Sequence, residues 1–116
     1  METVTNIRPP SERTYDLEHV AVGADVRVSA LSLVGEQHVE WHWHSSTSDI
    51  FFCLEGTAVI ETRHPDKTVH VTVGDRYDVL PGVAHKVTPL DGKKCRLVLV
   101  QGVGKADFHR GSDVSH

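Results

Sequence analysis

Residues His38 to Leu54, HVEWHWHSSTSDIFFCL, decide the fold. Polar and large apolar side chains alternate over the first seven positions, and in an extended strand successive side chains point to opposite faces. The alternation predicts one polar face, which carries His38, Glu40, His42 and His44. The other face carries Val39, Trp41 and Trp43. Four residues separate His44 from Asp49, enough for a reversal into a second strand that ends near Leu54.

Similar short runs fill most of the remaining chain. They are rich in Val, Ile, Leu and Phe and end at Gly, Pro or Asp-Gly turns, as strands do. The runs cover 25–34, 57–63, 68–73, 77–80, 85–88 and 93–101. No apolar pattern at helical spacing persists over about eleven residues. We therefore predict a single all-β domain, built as an antiparallel sandwich or barrel of short strands.

Length and charge limit the classes of function. The chain has 116 residues and a net charge of −4, which suits one domain. We expect an N-terminal arm over 1–12, a barrel over 13–105 and a loosely held C-terminal tail over 106–116. The acidic balance argues against nucleic acid and anionic membranes, because both bind clustered positive charge.

The cellular location follows from two further features. No apolar run approaches the roughly 20 residues that cross a bilayer, and residues 1–10 lack a signal-peptide pattern. We expect a cytoplasmic protein whose two cysteines, Cys53 and Cys95, are buried thiols.

Four side chains are candidate metal ligands: His42, His44, Asp49 and His85. Two histidines two residues apart on a strand place their rings side by side, and histidine is the commonest metal ligand in proteins. The reversal before Asp49 can return a carboxylate to the same point, and His85 begins a strand after the Pro81–Gly82 turn. Each feature alone is also typical of a packed histidine or a turn aspartate.

Two motifs that contain these residues resemble those of the cupin superfamily. The first family motif places Gly, about five residues, His-x-His, three or four residues, Glu, six residues and Gly in order. Here six residues separate Gly35 from His42-Trp43-His44, four residues separate His44 from Asp49, and six residues separate Asp49 from Gly56. The second family motif is Gly, five residues, Pro, one residue, Gly, two residues and His, and here Gly74 is followed by LPGVAH, residues 80–85. The resemblance implies a jelly-roll β-barrel that binds a metal ion.

Asp49 stands where cupins usually have glutamate. Aspartate is one methylene shorter, so its carboxylate reaches about 1.5 Å less far. Asp49 is either a direct ligand or a residue that orients a water or a histidine beside the metal, and the second case leaves a site of three histidines.

The resemblance implies one divalent ion of Fe, Mn, Ni, Co or Zn, because imidazole and carboxylate ligands suit all five. It also implies open coordination positions, which are typical of catalytic metals. We expect a metal-dependent enzyme, dioxygenase-like or an isomerase or lyase, that acts on a small oxygenated organic molecule. Glu40 and Tyr77 are the candidate catalytic residues, although Glu40 also suits a solvated edge and Tyr77 the core. The alternatives are a non-catalytic small-molecule binding or sensing module and, third, a storage-protein-like role.

The two tryptophans raise the question of a partner. If Trp41 and Trp43 face the barrel exterior, their rings form an apolar patch that a second subunit would cover, which predicts a homodimer. The alternatives are that the N-terminal arm covers them or that they pack between the sheets. The other histidines are expected at the surface: His19, His64, His70, His109 and His116.

Overall fold

A computed structural model describes residues 15–102 and 108–112 of the chain. These residues form strands and one 3₁₀ turn, Leu90–Gly92, which confirms the predicted all-β class. The strands are β1 (Asp16–Val22), β2 (Val26–Leu33), β3 (Val39–Trp43), β4 (Ser48–Glu55), β5 (Thr57–Arg63), β6 (Lys67–Thr72), β7 (Arg76–Val79), β8 (Ala84–Pro89), β9 (Cys95–Gly102) and β10 (His109–Arg110). The predicted arm, 1–12, lies outside the described residues, and the domain limits stay a prediction. No helix in the described ranges has the length and apolar character needed to cross a bilayer.

The strands form two five-stranded antiparallel sheets. Sheet A has the order β1-β2-β9-β4-β7, and sheet B has the order β10-β3-β8-β5-β6. The chain changes sheet at every connection from β2 onward except the one between β5 and β6, which are neighbours in sheet B. Such repeated crossing is the jelly-roll arrangement, and it places the inner faces of the two sheets against one core.

The core lies between the sheets and is apolar at one end. Burial alternates along β2 and β5, because successive side chains point inward and outward. The most deeply buried apolar side chains are at most 2% exposed: Leu31, Leu33, Phe51 and Leu97 from sheet A, and Ile60, Val71 and Val87 from sheet B. Both cysteines are free and buried, as predicted.

The other end of the interior is polar. In sheet A the register aligns Arg27, Gln101 and Asp49 across β2, β9 and β4, and all three are buried. In sheet B it aligns His42, His85 and Thr62 across β3, β8 and β5, and these are buried too. Two polar rows therefore face each other, and the next row of sheet A, Ser29, Leu99 and Phe51, is already mostly apolar.

A β-bulge corrects the predicted alternation of β3. Val39 pairs with Val87 and His42 pairs with His85, so three residue steps on β3 match two steps on β8. Val39 belongs to the hydrophobic core and His42 is also buried, so the predicted placement of Val39 on the face opposite His42 is wrong. The bulge accommodates one additional residue, and the spacing from Gly35 to His42 is one residue longer than in the cupin pattern.

Part of the predicted loose tail is a strand. His109 and Arg110 form β10, which pairs with Trp43 and His42 at the edge of sheet B. The amide N–H of Gly111 also donates to the carbonyl oxygen of Trp41 at 2.8 Å. The described part of the tail is therefore held by the strand that carries the central histidines.

We predict that Gly56→Ala destabilises the fold more than Gly35→Ala. Both glycines have positive φ, 69° and 66°, so alanine is strained at each by about 1 kcal/mol. A Cβ at position 56 would also overlap the carbonyl oxygen of Lys94, whereas nothing lies within 4 Å of a Cβ at position 35. Urea unfolding should give a loss of about 3 kcal/mol for the first variant and about 1 kcal/mol for the second. Equal losses would contradict the packing argument.

Candidate metal centre

The four residues singled out from the sequence lie together at the polar end of the interior. His42 and His85 face each other on paired strands of sheet B, His44 follows β3, and Asp49 comes from β4 of sheet A. One nitrogen or oxygen atom of each lies within 4.8 Å of the others, and the four residues are 1–3% exposed. The cluster joins the two sheets and could hold a metal ion.

Asp49 reaches the centre of the cluster despite its short side chain. Its Oδ2 atom lies 2.8 Å from Nε2 of His85, 3.0 Å from Nε2 of His44 and 3.7 Å from Nε2 of His42. The same carboxylate oxygen therefore faces all three imidazoles.

Backbone contacts determine which nitrogen faces inward in two of the rings. Nδ1 of His42 lies 2.7 Å from the carbonyl oxygen of Glu40, and Nδ1 of His85 lies 2.9 Å from that of Val83. A carbonyl only accepts, so each Nδ1 carries a proton and donates it. In the neutral ring the lone pair is then on Nε2, the atom that faces Asp49. Lone pairs of nitrogen and of a carboxylate oxygen thus converge on one point, which is the donor set that a divalent cation needs.

The pKa values support this assignment. Burial, followed by the neighbouring His85, lowers the pKa of His42 to about 4, so this ring is neutral near pH 7. Burial alone would raise the pKa of Asp49, but the neighbouring His44 and the short contacts between its Oδ2 and the imidazole nitrogens hold it well below its usual value. A neutral imidazole and an ionised carboxylate are the forms that bind metals.

Gln101 and Arg27 extend the cluster into sheet A, and our sequence analysis missed both. Gln101 Nε2 donates to Asp49 Oδ1 at 2.9 Å. Gln101 Oε1 accepts from Nε and Nη2 of Arg27 at 3.2 and 3.1 Å. Alternation along their strands could have revealed them, because Arg27 shares a face with Leu31 and Gln101 with Leu97.

Phe108 covers the cluster on the β10 side. Its ring stacks on the imidazole of His42, with centroids 4.6 Å apart and planes at 14°. It also lies edge-on to His44 at 6.0 Å. An apolar ring thus shields two of the imidazoles. The sequence pattern gave no sign of this contact, because residue 108 is far from the motifs along the chain.

The tryptophans are covered by residues of the same chain. His109 stacks on Trp43 with centroids 4.1 Å apart, and the guanidinium of Arg63 lies 4.3 Å above the ring of Trp41. These contacts remove the argument from which a homodimer was expected. His109 and His19 are half-buried rather than fully exposed, and His19 shares a hydrogen bond with Ser29.

The other surface histidines differ in outcome. His64 and His70 are exposed, as predicted. His116 lies outside the described residues.

The two candidate catalytic residues occupy different surroundings. Glu40 precedes His42 by two residues, and its Oε1 lies 3.4 Å from Nε of Arg110 at a half-exposed position. Tyr77 pairs with Phe51 and packs against the hydrophobic core, one row further in than Asp49. Cys53 lies two rows from Asp49, and its thiol donates to the carbonyl oxygens of Glu55 and Gly56, so it is a packed thiol.

Comparison with known proteins gives one family. The family model described as "Cupin domain" matches residues 32–101, more than half of the chain. No curated protein sequence matches the chain significantly.

Solved structures show the same fold at low sequence identity. An uncharacterized conserved protein with a double-stranded β-helix domain from Klebsiella pneumoniae is 19% identical, covers 97% of this chain and 100% of its own, and has a TM-score of 0.76. A cupin-2 domain containing protein from Shewanella frigidimarina is 23% identical, and the alignment covers 76% of this chain and 80% of that protein, with a TM-score of 0.64. An oxalate oxidase in complex with the substrate analogue glycolate is 11% identical, and the alignment covers 91% of this chain and 58% of that protein, with a TM-score of 0.71.

We predict that the metal-free protein loses stability as the pH falls from about 6.5 to about 4. His42 has a pKa near 6.5 when unfolded and about 4 when folded, so the unfolded state takes up the proton first. The lowered pKa of Asp49 acts in the same direction at lower pH. Urea unfolding of chelator-treated protein should show a loss of about 3 kcal/mol from His42.

A matched pair of variants isolates this contribution. The loss of unfolding free energy between pH 6.5 and pH 4 should be smaller in His42→Gln than in the wild type. It should be unchanged in His70→Gln, since His70 is exposed. An identical pH dependence in both variants would contradict the assignment to His42.

Proposed function

The chain belongs to the cupin family, and we propose that it binds one divalent metal ion through His42, His44, Asp49 and His85 and acts as a metal-dependent enzyme on a small oxygenated organic molecule. The observation that carries the proposal is the convergence of three Nε2 atoms on one oxygen of Asp49 inside the barrel. Asp49 is then a direct ligand rather than an orienting residue.

The ligand set favours a borderline or hard divalent ion. Nitrogen and oxygen donors suit Fe, Mn, Ni, Co and Zn alike, and the packed thiol of Cys53 lies too deep in the core to contribute. When bound, such an ion polarises a substrate oxygen or activates a water or dioxygen at an open position.

The residues of the chain supply the rest of the site. Asp49, as a carboxylate, would neutralise one of the two positive charges of a bound divalent ion. The backbone carbonyls of Glu40 and Val83 fix the orientation of the imidazoles of His42 and His85. Phe108 excludes water from the outer face of the His42 ring. Glu40, close to the histidines along β3, is the proposed acid–base group, and Tyr77 is a proposed wall of the pocket.

The reaction class is proposed as dioxygenase-like, or as an isomerase or lyase. All of these reactions use a substrate that binds the ion through oxygen. The oxalate oxidase with the same fold holds glycolate, a small oxygenated molecule of the proposed class. The net charge of −4 does not favour binding to nucleic acid, which attracts clustered positive charge.

A non-catalytic binding or sensing module is the second candidate. The observation that favours it is the burial of all four ligand residues, two of them, His42 and His44, against Phe108, which suits retention of a ligand as well as turnover. Oxygen consumption by the Fe(II)-loaded protein on addition of small oxygenated compounds would support the enzyme. Ligand binding that persists after removal of the metal would support the sensor.

We predict that His85→Ala lowers the affinity for the metal by at least about 100-fold, since it removes one of four ligands. Titration of metal-free protein with Zn²⁺ should give one site in the wild type and a weak site in the variant. His70→Ala is the matched control, because His70 is an exposed histidine on β6. Equal, sub-stoichiometric binding by all three proteins would contradict the proposed metal site.

We predict that Phe108→Ala speeds the removal of the metal by a chelator by about tenfold or more, because it uncovers the His42 ring. The rate is measured by stopped-flow mixing of Zn²⁺-loaded protein with a chromogenic chelator. Phe52→Ala is the control, since Phe52 is an exposed phenylalanine on the outer face of β4. An unchanged rate in Phe108→Ala would show that the metal leaves by another route.

A further inference from the structure

We propose that Gln101, anchored by Arg27, is a positioning residue that limits Asp49 to metal ligation through one oxygen. The inference rests on the proposed function, because it concerns how Asp49 would bind the ion. It adds two residues of sheet A to a site otherwise made by Asp49 of the same sheet and by three histidines on or next to strands of sheet B.

The orientation of the Gln101 amide follows from its two partners. A guanidinium only donates hydrogen bonds and a carboxylate only accepts them. The amide oxygen must therefore face Arg27, at 3.1 and 3.2 Å, and the amide nitrogen must face Asp49, at 2.9 Å. The opposite orientation would place oxygen against oxygen and nitrogen against nitrogen.

This arrangement gives the two oxygens of Asp49 different roles. Oδ2 faces the imidazoles, while Oδ1 accepts from Gln101 on the side away from them. Two-oxygen ligation would require Oδ1 to turn toward the ion and would leave the buried amide N–H of Gln101 without this acceptor. The hydrogen bond from Gln101 therefore opposes two-oxygen ligation.

The sheet holds this geometry firmly. Arg27, Gln101 and Asp49 are paired directly across β2, β9 and β4, which all have neighbours on both sides. The three residues are 8%, 6% and 1% exposed. Little room is left for a side chain to reorient when an ion binds.

One-oxygen ligation determines what else the ion can bind. A six-coordinate ion with three imidazoles and one carboxylate oxygen keeps two positions, whereas a second carboxylate oxygen would leave one. Two positions admit a substrate that binds through two oxygen atoms. Gln101 thus favours chelating substrates over those that bind through a single atom.

The test uses Mn²⁺ as the probe and water-proton relaxivity as the readout, because relaxivity reports the number of exchangeable waters on the ion. The variant is Gln101→Leu, which removes the donor to Asp49. The control is Gln37→Leu, whose amide contacts only the loop between β2 and β3. In the saturated wild type we expect the contribution of about two waters, and in Gln101→Leu about half of that contribution. Gln37→Leu should match the wild type.

Two further variants keep the test decisive. Gln101→Met, which keeps the length of the side chain, replaces Gln101→Leu if the latter does not fold. Arg27→Met removes only the group that anchors Gln101, and its relaxivity should lie between those of the wild type and Gln101→Leu. Wild-type relaxivity in a Mn²⁺-saturated Gln101 variant would overturn the inference and leave the proposed metal site intact. A folded wild type that binds no Mn²⁺ or other divalent ion would instead overturn the proposed function, and the inference with it.

Discussion

The structure depends on one buried carboxylate that faces three imidazoles across the interior. A carboxylate removed from water is costly unless charges and hydrogen bonds compensate for the lost hydration. Asp49 obtains that compensation from His44, which follows β3 of the opposite sheet, and from Gln101 of its own sheet. The two sheets are therefore joined at this end by electrostatics, and each member of the group is needed by the others.

The apolar end of the barrel stabilises the fold by burying hydrophobic area. Rows of Leu, Ile, Val and Phe fill the space between the sheets and bury area without any requirement for partners. Because the same strands run through both regions, the close packing of the apolar rows fixes the positions of the strands that carry the polar residues. The polar cluster, which could hold a metal ion, therefore does not have to stabilise the whole fold by its own interactions.

Much of the fold and of the site could be predicted from the sequence, for reasons that particular residues show. The His42-Trp43-His44 segment, Asp49 and His85 carry family spacing, and short alternating runs marked β2 to β9. The sequence does not mark β1 as a separate strand, since the burial of Asp16–Val22 is too shallow to leave a strong pattern. Alternation along β2 and β9 predicts only that Arg27 and Gln101 face inward, and their alignment with Asp49 depends on the register between distant strands. The contact of Phe108 with His42 lies beside the pairing of β10 with β3, which local periodicity does not contain. The face of Val39 was predicted wrongly because a bulge leaves no mark on the order of polar and apolar residues.

The bulge in β3 has a consequence for how the barrel can change. Side chains of a strand exchange faces with every single-residue shift, and the inserted residue between Val39 and His42 performs one such exchange. Loss of one residue between Val39 and His42 would match two steps on β3 to two steps on β8, and a regular strand would then keep the valine and the imidazoles on the inner face. Gain of one residue would instead need a wider bulge, or would turn either the valine or the imidazoles out of the interior. This part of β3 is therefore expected to tolerate shortening by one residue better than lengthening by one.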